Sequence, residues 1–339
     1  MATKRAHEDS ILSLCWLDAS LLVTGSADEA VSVWRLVTEK DGDKEKHTLK
    51  AVRSHASAHM LGVTAVSAET GGHRASLPRH ASLRDRGPAL NSLLLPFLTA
   101  GFCSAGFTDI AIWSSDDGTR LASFDCGHLE AIGLRWSPAA GLLAGGTALG
   151  YVNFFRVGED AAGGSVSISL ASKVASRSAS LVHCVGFSAD GTRCAAGHAD
   201  GSVTLIDTET LSVINTLEPH ALPVRAIEFT SSGDALVTGS EDGRVGLTGT
   251  SAAAGSAVGQ TATLSGHLGF VTGVAAAPGR ARFASSSADK TVKLWDIGNA
   301  DAEQTLTMHN DRVNALAWSV DASKLASVSD SGTLVVSVF

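Results

Sequence analysis

Short apolar runs separated by turn-forming clusters recur along the whole chain. One stretch shows the unit clearly. Val271-Thr272-Gly273-Val274, Phe283-Ala284-Ser285-Ser286-Ser287 and Thr291-Val292-Lys293-Leu294-Trp295 are apolar or strand-prone, with turn residues between them. Runs this short, bounded in this way, predict strand–turn–strand–turn–strand. The chain is expected to be all-β.

The unit returns with fixed landmarks. An Asp stands six residues before the Trp position as Asp28/Trp34, Asp200/Ile206, Asp242/Thr248, Asp289/Trp295 and Asp330/Val336. Two repeats keep only the strand pattern, as Phe107/Trp113 and Leu149/Phe155. A His heads the repeat at His7, His59, His220, His267 and His309. Cys126-Gly127-His128 is one residue short of that place, and the remaining repeat has Ser178. Gly266-His267 in front and Trp295-Asp296 behind are the marks of one WD-repeat blade. Seven units predict a single seven-bladed WD-repeat β-propeller over 1–339, with four-stranded antiparallel blades. The expected blades are 7–54, 55–125, 126–174, 175–218, 219–265, 266–307 and 308–339, the last closed by 1–6. Blades one, six and seven read as regular, two and five as eroded, and three and four as lacking part of the polar set.

The spacing has a physical cause. An Asp in the tight turn can accept from turn amides and from the His imidazole. A hydroxyl such as Ser13 or Thr272 and the Trp indole can extend the chain of bonds. Such a buried network is tolerated when it is satisfied, and it then fixes register. His7, Asp28, Trp34, Asp200, His220, Asp242, His267, Asp289, Trp295, His309 and Asp330 are therefore expected to form a structural ladder. A catalytic triad would have to be repeated around the molecule, so no catalytic residue is assigned. Trp16, Trp136 and Trp318 are expected in core or blade-interface packing.

Three segments, 38–54, 67–92 and 158–180, read as flexible surface insertions. The first is charged, and the third is rich in Gly, Ala and Ser. The second holds Arg74, Arg79, Arg84, Arg86, His73 and His80; it reads as solvated, with contact to RNA or an acidic partner as the alternative. Residues 1–6 are short and weakly strand-like, which predicts a poorly paired outer edge in blade seven.

Composition narrows the class. Hydrophobic residues are 44% and charged residues 18% of the chain, enough for a core and too little charge for disorder. The net charge of −8 gives no general pull toward nucleic acid. No apolar run approaches the ~20 residues that span a bilayer, and residues 1–10 are too polar for a signal peptide. Five cysteines without a C-x-x-C pair read as reduced thiols of a cytoplasmic and nuclear protein. No phosphate-binding loop or zinc motif is present, so neither cofactor nor metal is expected.

A narrower resemblance rests on Leu217-Glu218-Pro219-His220-Ala221-Leu222-Pro223-Val224-Arg225, on Leu236 through Gly243, and on Ala284 through Gly298. Gly145-Gly146-Thr147 and Val152-Asn153-Phe154-Phe155 add to it. These stretches resemble the WD-repeat subunit of the superkiller (Ski) complex, a subunit shared in animals and plants with the Paf transcription-elongation complex. The resemblance implies a non-catalytic adaptor in exosome-linked mRNA decay or RNA polymerase II elongation. It implies a tetratricopeptide-repeat partner, or a short peptide with an arginine and an apolar anchor, on the propeller's top face. It implies a propeller that is itself monomeric within a hetero-complex. The departures are Val245-Gly246-Leu247-Thr248-Gly249-Thr250 in blade five and the insertion in blade two. The alternative is a structural subunit of another large assembly, such as a ciliary axoneme or a ubiquitin-ligase receptor.

Positions three and five after each leading His, and the residue before each turn Asp, are expected at the top mouth of the channel. They are Ser10, Leu12, Gly62, Thr64, Glu130, Ile132, Leu181, His183, Pro223, Arg225, Phe270, Thr272, Arg312 and Asn314, with Ala27, Ala199, Glu241, Ala288 and Ser329 from the turns. Leu181, His183, Pro223, Arg225, Glu241, Phe270, Arg312 and Asn314 form the candidate partner-binding set, because aromatic and arginine side chains dominate interfaces. The plainer reading is that Phe270 packs on a neighbouring blade and the arginines are solvated.

Overall fold

Alternating side chains on each strand must bury both faces of every sheet, and a ring of radially stacked sheets does this. In the computed structural model, residues 1–339 are described apart from 42–43, 57, 59–62, 64, 69–100, 107, 115–118, 128–130, 138, 160–164, 178, 251–260 and 299–301. Strand β1 (Ala2–Arg5) comes first. Blade one holds β2 (Ile11–Trp16), β3 (Leu21–Ser26), β4 (Val31–Asp41) and β5 (Lys44–His55). Blade two holds β6 (Ala65–Ala68), β7 (Gly101–Ala105), β8 (Asp109–Ser114) and β9 (Arg120–Asp125). Blade three holds β10 (Ile132–Ser137), β11 (Leu142–Gly146), β12 (Tyr151–Glu159) and β13 (Val166–Ala175). Blade four holds β14 (Val182–Phe187), β15 (Arg193–His198), β16 (Val203–Asp207) and β17 (Ser212–Leu217). Blade five holds β18 (Val224–Phe229), β19 (Ala235–Ser240), β20 (Arg244–Gly249) and β21 (Thr261–Ser265). Blade six holds β22 (Val271–Ala276), β23 (Arg282–Ser287), β24 (Val292–Asp296) and β25 (Ala302–Leu306). Blade seven holds β26 (Val313–Trp318), β27 (Lys324–Ser329) and β28 (Thr333–Val338), completed by β1. Each blade is a four-stranded antiparallel sheet, and there are seven.

The core lies between the blades. Leu22 packs with Trp16, Val328 and Leu334 in the seam between blades one and seven. Its neighbour Val23 points the other way, into the seam with blade two beside Val63 and Phe102. This period of two repeats around the ring, and each of the seven seams has its own buried cluster. Trp16 and Trp318 sit in seams, and each indole donates to a carbonyl of the preceding blade, Ala317 at 3.0 Å and Ala275 at 3.2 Å.

Three expectations change. The outer edge of blade seven is short but fully paired, from Ala2↔Val336 to Arg5↔Thr333. Ala2 is buried in the seam cluster, and the Ala6 amide donates to the Gly332 carbonyl at 2.7 Å, so the closure is anchored at both ends. Segment 38–54 is not a loop: β4 and β5 pair without a break from Trp34↔Ala51 to Asp41↔Lys44. Leu36 and Leu49 face each other there, both buried, so an alternating strand continues beneath a charged composition. Segment 158–180 holds β13 as well, and its Val166 and Ile168 pack, like Leu121 and Phe124 of blade two, against the buried cluster between blades two and three. Residues 67–68 belong to β6, and 69–92 lie outside the described residues.

Candidate functional site

The polar ladder is built strand by strand inside the blades. Nδ1 of His7, His220 and His267 lies 2.9 Å from a carboxylate oxygen of Asp28, Asp242 and Asp289. A carboxylate only accepts, so Nδ1 carries the proton, and Nε2 accepts. Nε2 is met by the hydroxyl of Thr24 (2.7 Å), Thr238 (2.8 Å) or Ser285 (2.8 Å). The Trp34 and Trp295 indoles donate to Thr24 and Ser285 at 2.9 and 2.8 Å. The hydroxyl therefore comes from the second strand of the blade. It is not Ser13, whose oxygen is buried with no partner among the described residues, nor Thr272, which donates to the Val313 carbonyl.

Burial alone would raise the Asp289 carboxyl. Hydrogen bonds from Thr291, the Leu268 amide and His267 outweigh it and bring the carboxyl down to about 2. Burial lowers His7 and His267 against the pull of their carboxylates, so both rings are neutral at pH 7. Blade five keeps this ladder through His220, Asp242 and Thr238 and lacks only the indole, which Thr248 replaces. Blade two places Trp113 on Ser104 at 2.8 Å. In blade four, Asp200 binds Ser202 in its own turn, and His198 takes up Thr204 at 2.8 Å.

Blade seven departs from the expected ladder. His309 Nε2 meets Ser327 at 2.7 Å, but its buried Nδ1 has no partner among the described residues, and burial takes the ring down to about 4. The reason is register. In blades one, four, five and six the ladder Asp is followed by a left-handed residue, namely Glu29, Gly201, Gly243 and Lys290. In blade seven that residue is Gly332, with φ 70°, so Ser331 stands at the ladder position. Asp330 is one place earlier, beside Ala27, Ala199, Glu241 and Ala288. Backbone bonds agree: the amides of Ala27, Ala199, Glu241, Ala288 and Asp330 donate to the carbonyls of Ser10, Leu181, Pro223, Phe270 and Arg312. Asp330 is therefore a top-face residue, and Ser329 is not its equivalent.

That shared bond places the candidate residues on one face of the ring. The innermost strands are irregular at matching places. Register shifts leave Leu12, His183, Arg225, Thr272 and Asn314 as the extra residues of β2, β14, β18, β22 and β26. A bulge re-aims a side chain out of the ladder, and such devices gather at functional sites. The bulges surround a central channel of about 170 Å³, which His183, Arg225, Thr272 and Asn314 line together with Leu12 and Arg135. Gly62, Thr64 and Glu130, like His59, Phe107, His128 and Ser178, lie outside the described residues.

Arg225 donates to Glu241 from Nε at 2.6 Å and from a second nitrogen, and its other terminal nitrogen lies 3.4 Å from His183 Nδ1. Burial, then the Arg225 charge, holds His183 at about 4, so it is a neutral acceptor. Arg312 donates to Asn314 at 2.9 Å, and Asn314 donates to Asp330 at 2.7 Å and to the Ile11 carbonyl at 2.9 Å. Between these two groups, on blade six, Phe270 is 51% exposed and belongs to no buried cluster. Leu181 and Pro223 are half-buried. Sequence reasoning missed Leu268, which is 97% exposed next to Phe270's loop, and Leu222, 46% exposed in the matching loop of blade five. It also missed Arg135, which crosses blade four to reach Glu228 at 3.5 Å.

Burial pushes the Cys15 and Cys184 thiols up to about 12, far from nucleophilic character at neutral pH. Among the described residues, no group of three His, Cys, Asp or Glu side chains is placed to hold a metal.

Comparison with known proteins agrees with the fold. The family model for the WD domain, G-beta repeat, matches residues 1–35, 259–296 and 301–336, and a model for the Vps8 beta-propeller matches 139–250. A WD repeat-containing protein, SL1-17 of Schistosoma mansoni, is 24% identical over 71% of this chain and 67% of its own length. WD repeat-containing protein VIP3 of Arabidopsis thaliana is 29% identical over 67% of this chain; the match spans 62% of that relative, less than two thirds of it. Superkiller complex protein 8 of Dictyostelium discoideum is 40% identical over 20% of this chain and 23% of its own length. Each matched repeat takes in the outer strand of one blade and the inner strands of the next, as β21 with β22–β24 or β25 with β26–β28, and the chain is a seven-bladed β-propeller with WD repeats in those stretches.

Proposed function

We propose that this propeller is a non-catalytic adaptor that holds another protein subunit on its top face, over blades four to seven. The observation that carries this reading is the pairing of the charged rim. Arg225 with Glu241, and Arg312 with Asn314 and Asp330, are pre-oriented on either side of exposed Phe270. A fixed polar frame around an exposed aromatic is the arrangement of an interface hot spot. The partner is a short segment with an apolar anchor and a charged group that exchanges with these pairs.

The assembly we favour is of the superkiller type, with the Paf type as its nuclear counterpart, which puts the protein in the cytoplasm and nucleus. The long resemblance over blades five and six supports this, and so does the partial likeness to a superkiller complex subunit. Affinity purification of the tagged protein from native extract tests it. Recovery of a tetratricopeptide-repeat subunit with an RNA helicase, or of elongation-complex subunits, is the expected result. Recovery of axonemal or ubiquitin-ligase components in their place would overturn the assignment.

A further inference from the structure

The outer strands of the blades are edges, and exposed edges invite pairing with other chains. Five of them are blunted by the same device. One extra residue breaks the ladder at Val52 in β5, Leu121 in β9, Ala171 in β13, Ile214 in β17 and Glu303 in β25. Each bulge lies opposite the residue at the Trp position, which is Trp34, Trp113, Phe155, Ile206 or Trp295. β1 has no bulge but carries Lys4 and Arg5.

Blade five has neither defence. Thr248 occupies its Trp position, and β20 and β21 pair without a shift from Arg244↔Ser265 to Thr248↔Thr261. β21 reads Thr261-Ala262-Thr263-Leu264-Ser265, with no charge and no proline. Leu264 is buried inward, while Ala262, Thr263 and Ser265 are exposed.

We propose that β21 pairs edge to edge with β21 of a second copy of this chain, antiparallel and centred on Thr263. The strand is self-complementary about that point. Thr263 faces its own copy, Ala262 falls opposite Leu264, and Thr261 falls opposite Ser265. No like charges meet, as they would across β1 or β5. A two-fold axis through Thr263 closes the contact at two copies and joins the blade-five sheets into one eight-stranded sheet. The contact is far smaller than the roughly 1,200 Å² of a stable interface, so the dimer is weak and concentration-dependent. It replaces the expectation of a monomeric propeller and leaves the top face open.

Sedimentation velocity across a concentration series tests this. The wild-type chain is expected to shift from monomer to dimer as concentration rises. Thr263→Lys places like charges opposite one another and is expected to weaken the dimer at least about ten-fold. Ile214→Lys, on the bulged edge of blade four, should leave it unchanged. Hydrogen exchange of the wild-type chain needs no variant: protection of the 261–265 amides should rise with concentration. A chain that stays monomeric throughout, or a dimer that Thr263→Lys leaves intact, would overturn the proposal.

Discussion

The side-chain amide of Asn314 donates to the carboxylate of Asp330 over 2.7 Å, while His309 on the same blade keeps a buried ring nitrogen that meets no partner among the described residues. Blade seven has thus placed its acidic residue at the channel mouth, and its structural ladder is left incomplete. The two facts have one cause, the register of a single turn.

Asp289 and Asp330 should therefore behave differently. Asp289 accepts from His267, the Leu268 amide and Thr291. Asp289→Ala leaves buried donors unpaired and is expected to destabilise the propeller by about 2–4 kcal/mol. Asp330→Ala, at a partly exposed site, is expected to cost about 1 kcal/mol or less. Urea unfolding of the two variants decides it, and equal losses would contradict the register derived for blade seven.

Ser331→Asp should complete the ladder. A carboxylate at that position faces the orphaned His309 Nδ1. A gain of about 1–2 kcal/mol is expected at pH 7. A neutral or lower urea midpoint would show that His309 is already satisfied.

Acidification should weaken the protein before its carboxylates titrate. His309 has a folded value of about 4 against 6.5 for an unperturbed ring. The unfolded chain binds that proton first, so stability is full above about pH 6.5 and falls as pH drops toward about 4. The loss from this one group is about 3 kcal/mol, and Ser331→Asp should reduce it by raising the His309 value. Asp289 acts in a lower window, because its folded value is about 2 against 3.8. Its contribution is present above about pH 4 and disappears as pH falls through about 2. Urea midpoints at pH 7, 5.5 and 4.5 should decline steadily in the wild-type chain.

Removing residues 1–5 should open the ring. β1 is the fourth strand of blade seven, and Ala2 belongs to the seam with blade one. A loss on the order of 2 kcal/mol is expected, with broader thermal unfolding. A truncated chain that melts like the full one would show that closure does not depend on this strand.

The blade count was legible because apolar runs and the Asp–Trp spacing recur with one period. The position of Asp330 was not, because Asp330 and Val336 keep the same six-residue spacing as Asp289 and Trp295. Only the left-handed residue after the ladder position, Gly332, separates the two registers. The strand β5 was hidden by Glu45, Lys46 and Lys50, which belong to an outer strand whose polar face meets solvent. At the top face, counting from the leading His found His183, Arg225 and Asn314. It could not show that they are bulges, since one extra residue leaves an apolar run looking intact. Leu268 gave no signal, because single exposed leucines are ordinary until their neighbours are known.

The proposed adaptor role requires the top face between Arg225 and Arg312 to hold the partner. Binding of the recovered partner to wild-type, Phe270→Ala and Arg225→Glu chains, with thermal unfolding measured on the same samples, tests it most directly. At least about ten-fold weaker binding by each variant is expected, with cooperative unfolding retained. Undiminished binding by both variants would contradict it.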